Sequence, residues 1–212
     1  DIYGKMWNFT TDMLKQLAIN SKKPLILLPQ TYGPYKNFLL KKWAEQLVKE
    51  CHMAYSRDTA SAKEMNIKCK IRVITDMAFG LPYDKTMYNI DKTRINVGVN
   101  VSALLWDSGY AKDNKFELKV DYYTYIMNLI EKLLEMDKYA VHLIPHVIST
   151  NNYNNAENDL RPCKEVKNRF FDNDKVICAP AFETPIEAKS YIANMDIFVG
   201  ARMHATIGAV SA

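Results

Sequence analysis

The 212-residue chain has no apolar run approaching the ~20 residues needed to cross a bilayer. Its first residues, Asp1-Ile2-Tyr3-Gly4-Lys5, lack the basic and apolar regions of a secretion signal. A cytoplasmic protein is the expectation. The four cysteines, Cys51, Cys69, Cys163 and Cys178, form no C-x-x-C pair and are too few to frame a fold of this size, so reduced thiols are expected. Glycine is scarce, and none of the seven falls into G-x-G-x-x-G or G-x-x-x-x-G-K-[ST], the phosphate cradles of dinucleotide and P-loop folds. H-E-x-x-H and G-x-S-x-G are also absent, which removes the zinc-protease and nucleophile-elbow readings. Asp76, Asp84 and Asp91 are too irregularly spaced for a metal site, and no metal or cofactor is called for.

Charge of one sign is not concentrated either. The net charge is +4, but lysines and arginines are interleaved with acids, which gives poor support for a nucleic-acid surface. The tyrosines between Tyr83 and Tyr153 carry no RNA-binding signature beside them, and ordinary packing accounts for them. What is present is the balance of a globular chain: 48% hydrophobic and 25% charged residues, with enough length to bury a substantial core.

Short apolar runs alternate with helical patterns along the whole chain. Strands are expected at 24–29, 53–56 and 71–74, then at 95–101, 139–144, 176–178 and 196–200. Helices are expected between them, with Asn37, Asp58 and Thr184 as caps; Thr184-Pro185-Ile186-Glu187 is the clearest helix start in the chain. Parallel strands need crossover connections, so the alternation argues for an α/β fold of two Rossmann-like halves. The polar stretch 83–93 separates halves spanning 1–85 and 92–212. Both ends read as incomplete, because the helix opened by 201–206 stops without a cap or a following strand. Apolar exposure is therefore expected near Ile2 and Tyr3 or at 207–210.

In an open parallel sheet, ligands bind beyond the carboxyl ends of the strands. Four segments fall there: Pro29-Gln30-Thr31, Ser56-Arg57-Asp58, Pro145-His146 and Gly200-Ala201-Arg202-Met203-His204. The last is the most informative. A glycine turn entering a helix offers N–H groups and a positive dipole end to an anion, Arg202 adds a bidentate clamp, and His204 can move a proton near neutral pH. The plainer alternative is a salt bridge for Arg202 and a hydrogen-bonded core position for His204. His146 has the plainer reading of a loop residue, and His142, inside a strand, reads as structural.

Several of these segments, taken in order, resemble the polysaccharide pyruvyl transferase family over nearly the whole chain. They are Leu28-Pro29-Gln30-Thr31-Tyr32-Gly33-Pro34, Ala54-Tyr55-Ser56-Arg57-Asp58, Thr75-Asp76-Met77-Ala78-Phe79, Val97-Gly98-Val99-Asn100-Val101-Ser102, Leu143-Ile144-Pro145-His146, and the signature-like run from Phe198 to Thr206. The resemblance implies a GT-B-like two-domain architecture and transfer of a pyruvyl group from phosphoenolpyruvate to a sugar, with a ketal as product. It implies His204 and His146 as catalytic residues, and Arg202, Arg57, Gln30, Gly200 and Asn100 as substrate-binding residues. The partners it implies are phosphoenolpyruvate and a sugar or lipid-linked oligosaccharide acceptor, which would bring the protein to a membrane surface peripherally. A nucleotide-sugar glycosyltransferase of GT-B type and a non-catalytic carbohydrate-binding homologue are the alternatives.

Overall fold

A computed structural model describes residues 5–65, 70–114, 116–152 and 154–212. The chain forms two compact units, Asp1–Gly80 and Leu81–Ala212, each an α/β assembly around a parallel sheet.

The first unit opens with helix α1 (Lys5–Asn20), followed by β1 (Ile26–Gln30), α2 (Phe38–Glu50), β2 (Met53–Ser56), α3 (Thr59–Glu64) and β3 (Ile71–Val73). Its three strands lie in the order β1-β2-β3, all parallel. The register shifts between Leu27 and Gln30, where Pro29 has no N–H to give the ladder. Asn37 caps α2 by accepting the Leu39 and Leu40 N–H groups, and Asp58 caps α3 through Ser61. Ala44, Leu47 and Val48 recur on one face of α2, and Ala44 and Val48 meet Leu27, Ala54 and Met65 in the core. The opening helix has no counterpart among the expected elements. It packs against α2, with Phe9 set 5.6 Å from the Trp43 ring and Trp43 Nε1 donating to Gln16 at 3.2 Å. Ile2, Tyr3 and Cys69 lie outside the described residues.

The second unit carries β4 (Ile95–Val99), α4 (Ala103–Trp106), α5 (Tyr122–Leu134), β5 (Tyr139–Leu143), α6 (Leu160–Arg169), β6 (Val176–Cys178), α7 (Pro185–Ile192), β7 (Ile197–Val199) and α8 (Met203–Val210). The sheet order is β6-β5-β4-β7, again all parallel. Side chains alternate across it with the period of two that a strand imposes. Val97, Val99, Val141 and Leu143 meet Ile126, Ile130, Cys163 and Val166 on one side, and Ile144, just beyond β5, meets Phe182, Tyr191 and Ile192 on the other. Thr184 caps α7 through the Glu187 N–H with Pro185 at the helix start, as its sequence pattern predicts. The stretch 83–93 runs along α7: Asp84 N donates to Ser190 Oγ at 2.9 Å, and buried Lys189 reaches the Leu81 carbonyl at 2.8 Å. Val210, at the end of α8, is 72% exposed.

His142, on β5, occupies a sealed polar network. Asn96 Nδ2 donates to the Asp91 and Arg94 carbonyls, so its oxygen faces the imidazole; His142 Nε2 donates to that oxygen at 2.8 Å, and Nδ1 accepts the Tyr191 hydroxyl at 2.7 Å. A proton on Nδ1 would require the Tyr191 hydroxyl to turn and give up its donation. Burial, with a smaller push from the Lys92 charge, lowers its pKa to about 4. An unfolded histidine titrates near 6.5, so the unfolded chain takes up the proton first and stability falls with pH. The contribution is complete above about pH 6.5 and lost toward pH 4, amounting to about 3 kcal/mol. Urea unfolding across this range should show that loss in the wild type, and His142→Gln, although less stable at pH 7, should be less acid-sensitive by a similar amount.

Candidate functional site

In the second unit the carboxyl ends of β4, β5 and β7 are drawn together by Asn100. Its Nδ2 donates to the Ile144 carbonyl at 2.9 Å, while Oδ1 accepts Ala201 N at 3.2 Å and Arg202 N at 2.8 Å. The side chain is 1% exposed and its oxygen is fully used. Asn100, expected to contact substrate, clamps the entry to α8. Gly200 sits in the same turn: a Cβ there would run into Thr206 Oγ1 and come within 3.0 Å of the Phe198 ring. The absence of a side chain lets the strand end lie against the first turn of the helix.

The clamp presents Arg202 to a carboxylate that the sequence analysis did not single out. Arg202 Nη2 and Nε donate to the two oxygens of Asp159 at 2.7 and 3.2 Å, and Nη2 also reaches the Glu157 carbonyl at 2.9 Å. Asp159 is 0% exposed and Arg202 15%. Asp159 Oδ1 further accepts Ala103 N at 2.8 Å, and Oδ2 accepts His146 N at 3.2 Å and Val147 N at 3.0 Å. Of the two readings open for Arg202, the salt bridge is present, yet Nη1 makes no hydrogen bond among the described residues.

His146, at the end of β5, is half-buried, and its Nδ1 is enclosed without a hydrogen-bond partner among the described residues. Burial holds its imidazole below the usual range; the Asp159 carboxylate pulls it up, and the His204 and Arg202 charges push it further down. The three side chains therefore share one electrostatic neighbourhood. His204 stands in the first turn of α8 and is exposed, not in the core. No side chain caps α8, so its positive end is presented at the same edge.

The first unit has its own strand-end cluster. Arg57 Nε donates to Thr31 Oγ1 at 2.7 Å, Nη1 pairs with Asp76 Oδ2 at 3.0 Å, and its main-chain N–H reaches the Gln30 carbonyl at 3.2 Å. One arginine thus ties the ends of β1, β2 and β3. Gln30 is half-buried, and its main-chain carbonyl also accepts the Ser56 hydroxyl at 3.3 Å. Gly33, at φ +74°, turns the chain after β1 in a conformation other residues resist. The structure groups His146, Arg202, His204, Gly200 and Asn100 at one sheet edge, and Arg57 and Gln30 at the other sheet's edge.

Each sheet thus carries polar and cationic groups at the carboxyl ends of its strands. A family model described as polysaccharide pyruvyl transferase matches residues 4–212. The chain belongs to that family. No curated protein matches it. As a polysaccharide pyruvyl transferase family member, it has its signature-like run, 198–206, at the end of β7 and the start of α8. Among the described residues, no helix is long and apolar enough to cross a membrane, and no three potential metal ligands gather.

Asp159 escaped sequence reasoning because it closes an asparagine-rich stretch that reads as a loop. Its side chain caps nothing on α6 and faces the strand ends instead. Asn100→Ala would leave two N–H groups and a carbonyl unpaired in a buried place, at a cost of roughly 3 kcal/mol. Urea unfolding should report that loss; a change below about 0.5 kcal/mol would show that the clamp is not needed.

Proposed function

We propose that this protein transfers a pyruvyl group from phosphoenolpyruvate to a sugar of a cell-surface polysaccharide or its precursor, forming a pyruvate ketal. The observation that carries this reading is the grouping of Arg202, His146 and His204 around the uncapped start of α8 in a pyruvyl transferase family member. The donor carries a carboxylate and a phosphate, and an arginine beside a helix N-terminus is chemistry suited to either. Arg202 Nη1 and the α8 dipole hold the donor; Gly200, by letting Thr206 close against the strand end, sets the turn that presents them. Arg57 and Gln30 are the candidate substrate contacts of the first unit. A GT-B-like arrangement of the units, a cytoplasmic location and peripheral contact with a membrane through a lipid-linked acceptor belong to the same proposal.

The reaction moves three protons, one onto the donor and one off each sugar hydroxyl. Protonation of the donor's methylene carbon leaves a cationic centre at the carbon bearing the phosphate oxygen. One sugar hydroxyl adds there and gives up its proton. The bond to phosphate then breaks, inorganic phosphate leaves, and the second hydroxyl adds and loses its proton to close the ketal. His204 delivers the first proton. His146, which burial keeps neutral near pH 7, is suited to receive one from a hydroxyl.

Incubating the protein with phosphoenolpyruvate and a panel of nucleotide-linked and lipid-linked sugars should release inorganic phosphate. An acceptor should gain the mass of pyruvate less water. Nucleotide release without consumption of phosphoenolpyruvate would replace this reading with glycosyl transfer, and donor binding without turnover would indicate a non-catalytic homologue. His204→Ala should lower kcat by roughly 10²- to 10⁴-fold with donor binding largely kept, the range for loss of a general acid or base. Arg202→Lys keeps the charge but loses the planar fork, so the KM for phosphoenolpyruvate should rise by roughly 10- to 100-fold. Near-normal kcat in folded His204→Ala protein would move the proton delivery to His146.

A further inference from the structure

We propose that Asp159 is a positioning residue for this reaction: from full burial it orients the Arg202 guanidinium and the main chain of His146 as one unit. The proposal rests on the reading of the site as a pyruvyl transfer site. Five donors from three segments converge on its two oxygens: Ala103 N at the start of α4, His146 and Val147 N after β5, and Nε and Nη2 of Arg202 before α8. Asn100 links the same strand ends without charge, whereas Asp159 brings a full charge to them, and its side chain makes no bond to its own helix. The neighbouring Asn158 reinforces the same loop by exchanging hydrogen bonds with the Ser149 main chain.

The arrangement does more than stabilise the fold. By taking Nε and Nη2, the carboxylate fixes the plane of the guanidinium and leaves Nη1 as the group that can turn to an anion. Its charge also opposes the Arg202 and His204 charges at the His146 imidazole, in whose setting all three count. A spacer of the right shape without charge would hold the loops but not the proton balance of His146.

Two variants separate geometry from charge. Asp159→Asn removes the charge and turns an amide N–H₂ toward donors. The His146 imidazole, followed by NMR titration without substrate, should then titrate at lower pH than in the wild type. The acid limb of the kcat profile should move the same way, with kcat reduced about 10- to 100-fold. Asp159→Glu keeps the charge but displaces it by one methylene; it should lower kcat by about 10- to 100-fold through misplacement while leaving the His146 titration close to wild type. Should Asp159→Asn fail to fold, Asp159→Glu carries the test, and wild-type kcat and KM in that variant would overturn the proposal. An unmoved His146 titration in folded Asp159→Asn would overturn it too. Absence of phosphate release by the wild type is a separate result: it removes the pyruvyl transfer reading, and the substrate-free titration still decides whether Asp159 sets the state of His146.

Discussion

A buried carboxylate cannot stay charged unless donors surround it, and in this protein that requirement organises the second unit's strand ends. Asp159 has no solvent exposure, so its two oxygens must be met from within. They are met by main-chain N–H groups from two loops and by the fork of Arg202. Removing either member of a pair buried this deeply typically costs about 3 to 5 kcal/mol, because the other is left uncompensated. The loops after β4 and β5 and the entry to α8 are consequently not independent. Asn100 adds a neutral link between the same three strand ends.

The first unit reaches a similar end with the charges exchanged. There the collecting group is a cation, Arg57, which takes Thr31 from β1's loop and Asp76 from the segment after β3. In each sheet a charged side chain at the carboxyl edge spends some of its hydrogen bonds on holding neighbouring loops. A strand-end arginine is therefore both a structural tie and a candidate ligand contact. In Arg202 the division is visible atom by atom, with Nε and Nη2 engaged and Nη1 unbonded among the described residues.

Much of the fold is legible in the sequence because its signals are local. The strands follow short apolar runs, and Asn37, Asp58 and Thr184 accept main-chain N–H groups where their positions predict. The elements that were not legible depend on distant partners. Helix α4 is four residues long, its Ser102 cap makes no side-chain bond, and its first N–H is satisfied by Asp159, 56 residues further along. Helix α1 is fixed by contacts such as Phe9 with Trp43. At the site, Arg202 and His146 are recognisable from their place after strands, but only the fold tells that Asn100 is consumed by main chain and that Asp159 faces away from its own helix.

We propose that the start of α8, with Arg202, His146 and His204, holds the pyruvyl donor in this member of the polysaccharide pyruvyl transferase family. The most direct measurement is a crystal structure of the protein with bound phosphoenolpyruvate in the absence of acceptor. The donor's carboxylate or phosphate should lie against Arg202 Nη1 and the first turn of α8, with the methylene carbon within reach of the His204 imidazole. A fully occupied donor elsewhere, with Arg202 and His204 untouched, would contradict it.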